Sequence, residues 1–266
     1  MAYLDRKGFY GIIIVIMVVL LAVLGIAFAT LGAADISVAD GFRVLLSRVP
    51  FLKGLAEDVQ LPDFFYTIVL DIRLPRLVLS AMVGAALSVA GTVFQGMLKN
   101  PMADPYVVGV SSGAAFGATI ALVLNLRFVF AGLSSVSAMA FVCALATILL
   151  VYNISRTGTR VPDTTLILSG VAVSAFLSAA VSFIMVISRE NLHNIVYWTM
   201  GSFTSADWSA VKTVLIPIPA GIAVLMVFAK DLNMMMLGDD TAKSLGVNIE
   251  LTKKILLVVA SVITAA

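Results

Sequence analysis

Charged residues are scarce in this sequence. Only 12% of its 266 residues are Asp, Glu, Lys or Arg, whereas 61% are hydrophobic, and the mean hydropathy is +1.09. A soluble domain carries about twice that share of charge. The net charge of +2 is too small to indicate a nucleic-acid partner or an acidic substrate. The composition therefore predicts an integral membrane protein.

Cysteine and histidine are almost missing, with Cys143 and His193 as the single examples. One cysteine excludes an internal disulfide framework and a cysteine metal cluster. His193 has no partner at ligand spacing, and we interpret it as a surface residue. No HExxH, GxSxG or glycine-rich phosphate loop occurs. The sequence thus predicts no metal site and no catalytic residue. An intramembrane enzyme is our third interpretation, and it would need its reactive groups in a further C-terminal part.

Long uncharged runs fill the chain instead. The first, residues 11–34, follows Asp5, Arg6 and Lys7 and is too long for a cleaved signal peptide, so we expect an uncleaved span with a cytoplasmic N-terminus. The second, residues 77–98, would extend roughly 33 Å as a helix, enough to cross a bilayer. Further spans are predicted at about residues 106–126, 128–152, 164–188 and 208–229, the last kinked by Pro217 and Pro219.

A seventh run, residues 255–266, would reach only about 18 Å. We therefore expect one transmembrane domain over residues 1–266 that is incomplete at its C-terminus. Residues 35–72 are predicted to be an extracytoplasmic connection, followed by a basic elbow at Arg73–Arg76. At the other end of the second span, Asp104 is predicted to cap the third span, with Pro105 at its first position.

Residues 237–250 form a predicted cytoplasmic segment with a compact helix. Asp239 or Asp240 can cap its start, and Gly246 supplies a left-handed stop. A short helix stopped on both sides makes a rigid knob, which favours contact with a soluble partner; a plain connector is the alternative.

Small and polar residues follow regular positions inside two predicted spans. A first stripe comprises Gly84, Ser88, Thr92 and Gly96, and a second Gly109, Gly113 and Gly117. We expect tight helix packing at both, with a pathway lining as the alternative. Gln95 is expected to form an interhelical hydrogen bond or to line a substrate path. No charged residue lies in the middle of a complete span, which disfavours an ion-coupled secondary transporter, our second interpretation.

Several stretches together resemble one family, the permease subunits of binding-protein-dependent ABC importers for vitamin B12, haem, iron-siderophores and related chelates. They are Arg-Leu-Pro-Arg at 73–76, Asn-Pro-Met-Ala-Asp-Pro at 100–105, Gly-Val-Ser-Ser-Gly at 109–113, Leu-Ile-Leu-Ser-Gly at 166–170, Tyr-Trp-Thr-Met-Gly-Ser at 197–202, and Leu-Gly at 237–238 and 245–246. They occur in family order over about residues 10–266.

The resemblance implies an all-α, polytopic type II ABC importer permease fold with ten helices, of which about six and a half would be present. It also implies a homodimer in the bacterial or archaeal cytoplasmic membrane, an extracytoplasmic substrate-binding protein and two cytoplasmic ATPase subunits. ATP and Mg²⁺ would bind to those subunits, and this chain would hold no cofactor. The expected cargo is a metal chelate, an iron-siderophore first, with haem or cobalamin as alternatives.

Site residues follow from the same resemblance. Arg73 and Arg76 match arginines that dock the binding protein, although headgroup anchoring is the simpler alternative for both. Four residues match positions of the cytoplasmic gate: Asn100, Met102, Asp163 and Thr164. The last two are expected in the loop before the fifth span. Asp163 departs from the small hydroxyl residue expected there. The ATPase-coupling segment contains Gly238, Asp239, Asp240, Ala242, Leu245 and Gly246.

Overall fold

The structure, a computed structural model, describes residues 2–30, 32, 34, 36–47, 61–130, 132–158 and 161–266, with side chains from residue 9 onward. Within these residues the chain is almost entirely helical, as predicted. The exception is a hairpin of two-residue antiparallel strands, β1 (Val129–Phe130) and β2 (Leu133–Ser134).

In chain order the α-helices are α1 (Ala2–Thr30), α2 (Val38–Ser47), α3 (Asp63–Tyr66), α4 (Leu74–Leu98), α5 (Val110–Val123), α6 (Ser135–Ser155), α7 (Asp163–Ile187), α8 (Leu192–Met200), α9 (Trp208–Val214), α10 (Pro217–Val227), α11 (Ala229–Met236), α12 (Asp239–Ser244) and α13 (Ile249–Ala265). A π-helical segment, Thr67–Arg73, joins α3 to α4, and a 3₁₀ turn, Arg189–Asn191, precedes α8.

Five helical segments are long and apolar enough to cross a membrane: Phe9–Thr30, Asp63–Leu98, Ser135–Ser155, Asp163–Ile187 and Trp208–Val227. The prediction of a multi-pass helical protein is confirmed. The fifth predicted span agrees with α7 to within one residue at each end. The first span ends at Thr30, four residues before the predicted end.

The chain divides into two units, each of which is described separately. The first comprises Met1–Ser80 with Ala206–Trp208, and the second Ala81–Ser205 with Ser209–Ala266. In the first unit, the buried side chains of Ile36, Val44, Val69 and Leu70 form a small core. These side chains pack α2 against the helical segment that begins at Asp63. Burial of these apolar groups holds the two elements together.

The predicted elbow at residues 73–76 is wrong, and so is a connection that lasts to residue 72. Helix begins at Asp63 and continues through Pro75. Proline has no N–H to donate, so an α-helical register would be broken here. The π-helical turn changes the register: the Leu74 N–H donates to the Val69 carbonyl, five residues back.

In this register each N–H donates to the carbonyl five residues back. The next donor would be the backbone nitrogen of Pro75, with the Leu70 carbonyl as its acceptor. The indole Nε1 of Trp208 donates to the Leu70 carbonyl instead, at 3.0 Å. A buried backbone carbonyl needs a partner. The Trp208 indole therefore supplies the hydrogen bond that Pro75 cannot give.

The third span is shorter than predicted. Residues 101–109 form turns, and α5 begins at Val110 after Gly109, whose φ of +91° suits glycine. Asp104 is not the cap of this helix; its Oδ1 accepts from the Val107 N–H at 3.0 Å and closes a turn. The cap prediction failed because the turn chemistry of Asp104 and Pro105 also fits a loop.

The fourth and sixth spans also differ in detail. The fourth starts at Ser135, after the hairpin, and the side chain of Ser134 caps it by accepting from the Ser137 N–H. The sixth is interrupted at Leu215 and Ile216, so that Pro217 opens α10 at a position where its missing N–H costs no hydrogen bond. The interruption lies where the sequence predicted a kink.

The second small-residue stripe packs as predicted. A β-carbon at Gly113 would overlap the Thr147 side chain, and one at Gly117 would overlap the Met139 carbonyl oxygen, so α5 lies directly against α6. The first stripe differs, because Gly84 has open space beside it, and Ser88 and Thr92 are exposed. Of this stripe, Gly96 alone is both buried and tightly packed in the described residues: a β-carbon there would lie 3.1 Å from the Leu232 side chain.

Candidate functional site

Arg73, predicted to dock an acidic partner, is engaged inside its own unit. Its Nη1 donates to the carbonyl of Ala29 at 3.2 Å and to that of Thr30, and its Nη2 donates to the carbonyl of Ala34 at 3.4 Å. These carbonyls lie at and just beyond the C-terminus of α1, where the helix has unpaired acceptors and partial negative charge. The structure therefore gives Arg73 an anchoring contact, while the half-buried Arg76 lies one turn further on.

Residues 100–103, the Asn100 corner, form turns that are closed by hydrogen bonds within the segment. Asn100 Oδ1 accepts from the Met102 N–H at 2.9 Å, and the Asn100 carbonyl accepts from the Ala103 N–H at 3.0 Å. This fixes the backbone and leaves the Met102 side chain 81% exposed. Asn100 thus shapes the corner, and Met102 is the side chain that it presents.

The two other predicted gate residues lie in α7 and not in a loop before it. Asp163 is the first residue of the helix, and Thr164, the second, is exposed. An acidic residue in the first turn is stabilised by the helix dipole. Among the described residues, no hydrogen bond or ion pair joins Asn100 or Met102 to Asp163 or Thr164, so the four predicted gate residues form two separate pairs.

The coupling segment contains the predicted short helix. α12 is bounded by Gly238 (φ +120°) and Gly246 (φ +88°), so the left-handed stop is confirmed. The predicted aspartate cap is wrong: Gly238 is the N-cap residue, and no side chain caps the helix. Ala242 is fully buried and offers no surface to a partner, whereas Asp240 and Leu245 are exposed.

A chain of ion pairs joins this helix to α7. Lys253, in α13, has its Nζ 2.7 Å from Asp163 Oδ1 and 3.2 Å from Asp239 Oδ2. The second oxygen of Asp239 pairs with the ammonium of Lys99, just beyond α4. Lys253 is only 8% exposed, although its side chain carries a full charge. A buried ammonium is tolerated only when it is paired, and this one lies between two carboxylates.

The Asp239 carboxyl is electrostatically tuned by these contacts. Burial by itself raises its pKa, but the hydrogen bond from Lys99 and the charge and hydrogen bond of Lys253 outweigh burial and lower the pKa below its ordinary value. Asp239 is therefore ionised at neutral pH, as both ion pairs require.

Sequence reasoning missed Lys99 and Lys253. Lys99 ends α4 in the left-handed conformation (φ +50°), and the following Asn100 N–H donates to the Gln95 carbonyl. Glycine is the usual residue at this position of a helix terminus, so a lysine there is an unusual choice that could have drawn attention. For Lys253 no local signal exists, because its partner Asp163 is 90 residues away in the chain.

The other candidate positions carry less chemistry. Gln95 is exposed and forms no side-chain hydrogen bond to any residue that the structure describes. A cavity of about 420 Å³ lies among α5, α6, α8, α9, α10 and α13, and Gln95 does not line it. Its lining is uncharged and includes Ser111, Phe141, Trp198 and Thr213. Within the described ranges, no group of three or more His, Cys, Asp or Glu side chains could hold a metal ion.

Comparison with known proteins agrees with the resemblance found in the sequence. The profile of the FecCD transport family matches residues 15–266. The cobalamin import system permease protein BtuC of Halobacterium salinarum is 44% identical over 205 residues, which are 77% of this chain and 54% of that protein. The hemin transport system permease protein HmuU of Yersinia pestis is 34% identical over 253 residues, 94% of this chain and 71% of that protein.

A permease of Bacillus subtilis, YvrB, is 40% identical over 88% of this chain and 66% of its own length. The chain thus spans between about half and two thirds of the length of BtuC and YvrB. A solved ABC transporter of the metal-chelate type, in an inward-facing conformation, superposes with a TM-score of 0.77 at 25% identity, over 96% of this chain and 75% of the other. The fold is that of an ABC transporter permease.

Proposed function

The chain belongs to the FecCD transport family, and we propose that it is the transmembrane permease subunit of an ABC importer that moves a metal chelate across the cytoplasmic membrane of a bacterium or archaeon. The family match over residues 15–266 is the observation that carries this proposal. The permease conducts its cargo without covalent chemistry. ATP and Mg²⁺ bind to separate ATPase subunits, and the chain itself needs no cofactor.

The cargo is proposed as a class. Three of the similar permeases are named for cobalamin, hemin and ferric enterobactin, which are metal chelates, and another is named for molybdate, which is an oxyanion. Cobalamin is the first ligand to test, because the permease named for it is 44% identical to this chain.

The proposed assembly is a homodimer with the transport path along its two-fold axis, and its N-termini are in the cytoplasm. A loaded binding protein docks outside, where Arg76 matches a docking arginine of the family; the guanidinium of Arg73 is engaged with backbone carbonyls. On the cytoplasmic side, the exposed Asp240 of α12 and Leu245, the residue after that helix, contact the ATPase. ATP-driven closure of that subunit moves α12, and the gate around Met102 and Thr164 opens or closes.

An ion-coupled secondary transporter is the second candidate. It would need ionisable side chains in the middle of the membrane-crossing helices. In the described part of the chain the ionic cluster instead lies at helix ends: Asp163 opens α7, Asp239 opens α12, and Lys99 follows α4. That position favours a junction between cytoplasmic loops over an ion pathway.

The test is reconstitution. The permease is co-purified with its ATPase and placed in liposomes, and the uptake of radiolabelled cyanocobalamin, hemin and a ferric siderophore is measured with the binding protein present. Uptake of one chelate that requires ATP and the ATPase is expected. Uptake that persists without the ATPase, driven by an ion gradient alone, would support the secondary transporter and overturn the proposal.

A further inference from the structure

Lys253 is one of two charged residues, with Asp239, that have two ionic partners each within the described part of the chain. Its ammonium is within 3.2 Å of carboxylates from two different helices, α7 and α12, while Lys253 itself belongs to α13. Short hydrogen-bonded ion pairs with little solvent between them are stronger and more directional than surface pairs. Lys253 therefore holds the first residue of α7 and the first residue of α12 in a fixed relation.

A glycine with positive φ lies at each end of α12, Gly238 at +120° and Gly246 at +88°. Such positions can absorb changes in backbone direction. The inner face of α12 is held by the fully buried Ala242. Its first residue, Asp239, is held on both carboxylate oxygens, by Lys99 and by Lys253. A displacement of α12 is thus passed on at Asp239.

The receiving end is the first turn of α7. Asp163 is 24% exposed at its side chain and bonds Lys253 at 2.7 Å. Little space is left beside the pair: the partly open pocket that Asp163 and Lys253 line with Met97, Glu250 and Leu257 has a volume of about 10 Å³. That is close to the volume for one water molecule. A packed contact of this kind transmits displacement instead of absorbing it.

From this geometry we propose that Lys253 is a positioning residue that transmits movement of α12 to the first turn of α7, through its ion pairs with Asp239 and Asp163. The inference rests on the proposed function, in which the ATPase moves α12. It adds the contacts through which the movement passes. Because Lys253 pairs with both carboxylates, the conformation of α7 depends on the nucleotide bound to the ATPase.

The experiment uses the permease assembled with its ATPase in liposomes. A reporter thiol is introduced as Thr164→Cys in a Cys143→Ala background, because Thr164 is exposed in the first turn of α7. Its reaction rate with a membrane-impermeant maleimide is measured without nucleotide and after trapping with ATP and vanadate. A coupled conformational change alters this rate by about fivefold or more.

Three lysine variants are compared on that background. Lys253→Met keeps the aliphatic length and removes the charge, Lys253→Arg keeps the charge, and Lys254→Met is the matched control on the exposed side of the same helix. We expect the nucleotide-dependent change to be lost in Lys253→Met, restored in Lys253→Arg and intact in Lys254→Met. The ATPase should co-purify with all three and should still hydrolyse ATP, so the readout separates uncoupling from loss of assembly.

The possible results separate failure of the inference from failure of the proposed function. If Lys253→Met responds to nucleotide as the parent does, the inference is overturned while the proposed function stands. If the parent itself shows no nucleotide response, or no ATPase co-purifies with it, the proposed function falls and the inference with it. Should Lys253→Met fail to accumulate, Asp239→Ala interrupts the same route at a residue that is 41% exposed, and an unchanged response there overturns the inference equally.

Discussion

Replacing Arg73 with alanine should destabilise the first unit of the chain. The guanidinium joins the C-terminus of α1 to the helical segment that contains Arg73, through the carbonyls of Ala29, Thr30 and Ala34. Without it, those carbonyls lose their charged donor. Alanine has no donor group and cannot replace these contacts.

The magnitude follows from these contacts. A hydrogen bond that involves a charged group contributes about 1.5–3 kcal/mol, and a cation at a helix C-terminus about 0.3–1 kcal/mol. Two of the three bonds are long, at 3.2 and 3.4 Å, and Arg73 is only half-buried, so we count the three bonds together as one full charged hydrogen bond. We expect Arg73→Ala to lower the free energy of unfolding by about 2–4 kcal/mol, and Arg73→Lys to lower it by less, since its ammonium cannot span all three carbonyls.

The assay is thermal unfolding in detergent, followed by the fluorescence of Trp208, which belongs to the same unit and bonds Leu70. Trp198 is replaced by Phe so that Trp208 is the one emitter. At about 2 °C per kcal/mol, the melting temperature should fall by about 4–8 °C in Arg73→Ala. The exposed Arg127 provides the control, with Arg127→Ala unchanged. An unchanged melting temperature in Arg73→Ala would refute the anchoring role and return Arg73 to the docking surface.

Three further predictions concern other parts of the chain. Gly117→Val should destabilise α5 against α6 by about 1–3 kcal/mol or more because its β-carbon meets backbone, whereas Gly84→Ala, with open space, should stabilise by about 0.5–1 kcal/mol; thermal denaturation ranks the two. The pKa of Asp239 is lowered in the folded state. Its contribution to stability is therefore complete above about pH 4 and is lost as the pH falls through the folded pKa. Melting curves at decreasing pH should show this loss, and the Asp239→Asn variant should lack this pH dependence. Arg76→Glu should weaken association with the binding protein and reduce its salt dependence in surface plasmon resonance, and equal affinity would contradict docking at Arg76.

Much of the fold was predictable, because apolar runs report membrane helices directly. α7 was placed to within one residue, and the glycine that ends α12 was identified from the sequence alone. The failures came where local chemistry is ambiguous. Pro75 normally breaks a helix, but a π-helical register and the indole of Trp208 accommodate it. No local pattern announces a compensation that comes from a residue more than 130 positions away.

Individual residues of the candidate site could be predicted from the sequence, but the contacts between them could not. Asp163 and Asp239 were both identified, for separate reasons, from the resemblance to a family. That they share Lys253 could not be read from the sequence, since the contacts span 90 and 14 residues. Lys253 itself looks like half of an ordinary basic pair at the start of an apolar run. Its burial, and not its type, makes it a functional candidate.

The pairing also accounts for Asp163, which stands where the resemblance leads us to expect a small hydroxyl residue. A carboxylate that is only 24% exposed and a lysine that is 8% exposed would each be costly alone, and together each offsets the other. Removing one buried partner costs about 3–5 kcal/mol, and less here because the remaining carboxylate retains some solvent. The double variant Asp163→Asn with Lys253→Met leaves no unpaired charge at α7. We therefore expect it to be more stable than the sum of the single changes by about 1–3 kcal/mol in a double-mutant cycle of unfolding free energies. Additive effects would mean that Asp163 and Lys253 do not stabilise one another, and the acidic residue at the start of α7 would then need another explanation.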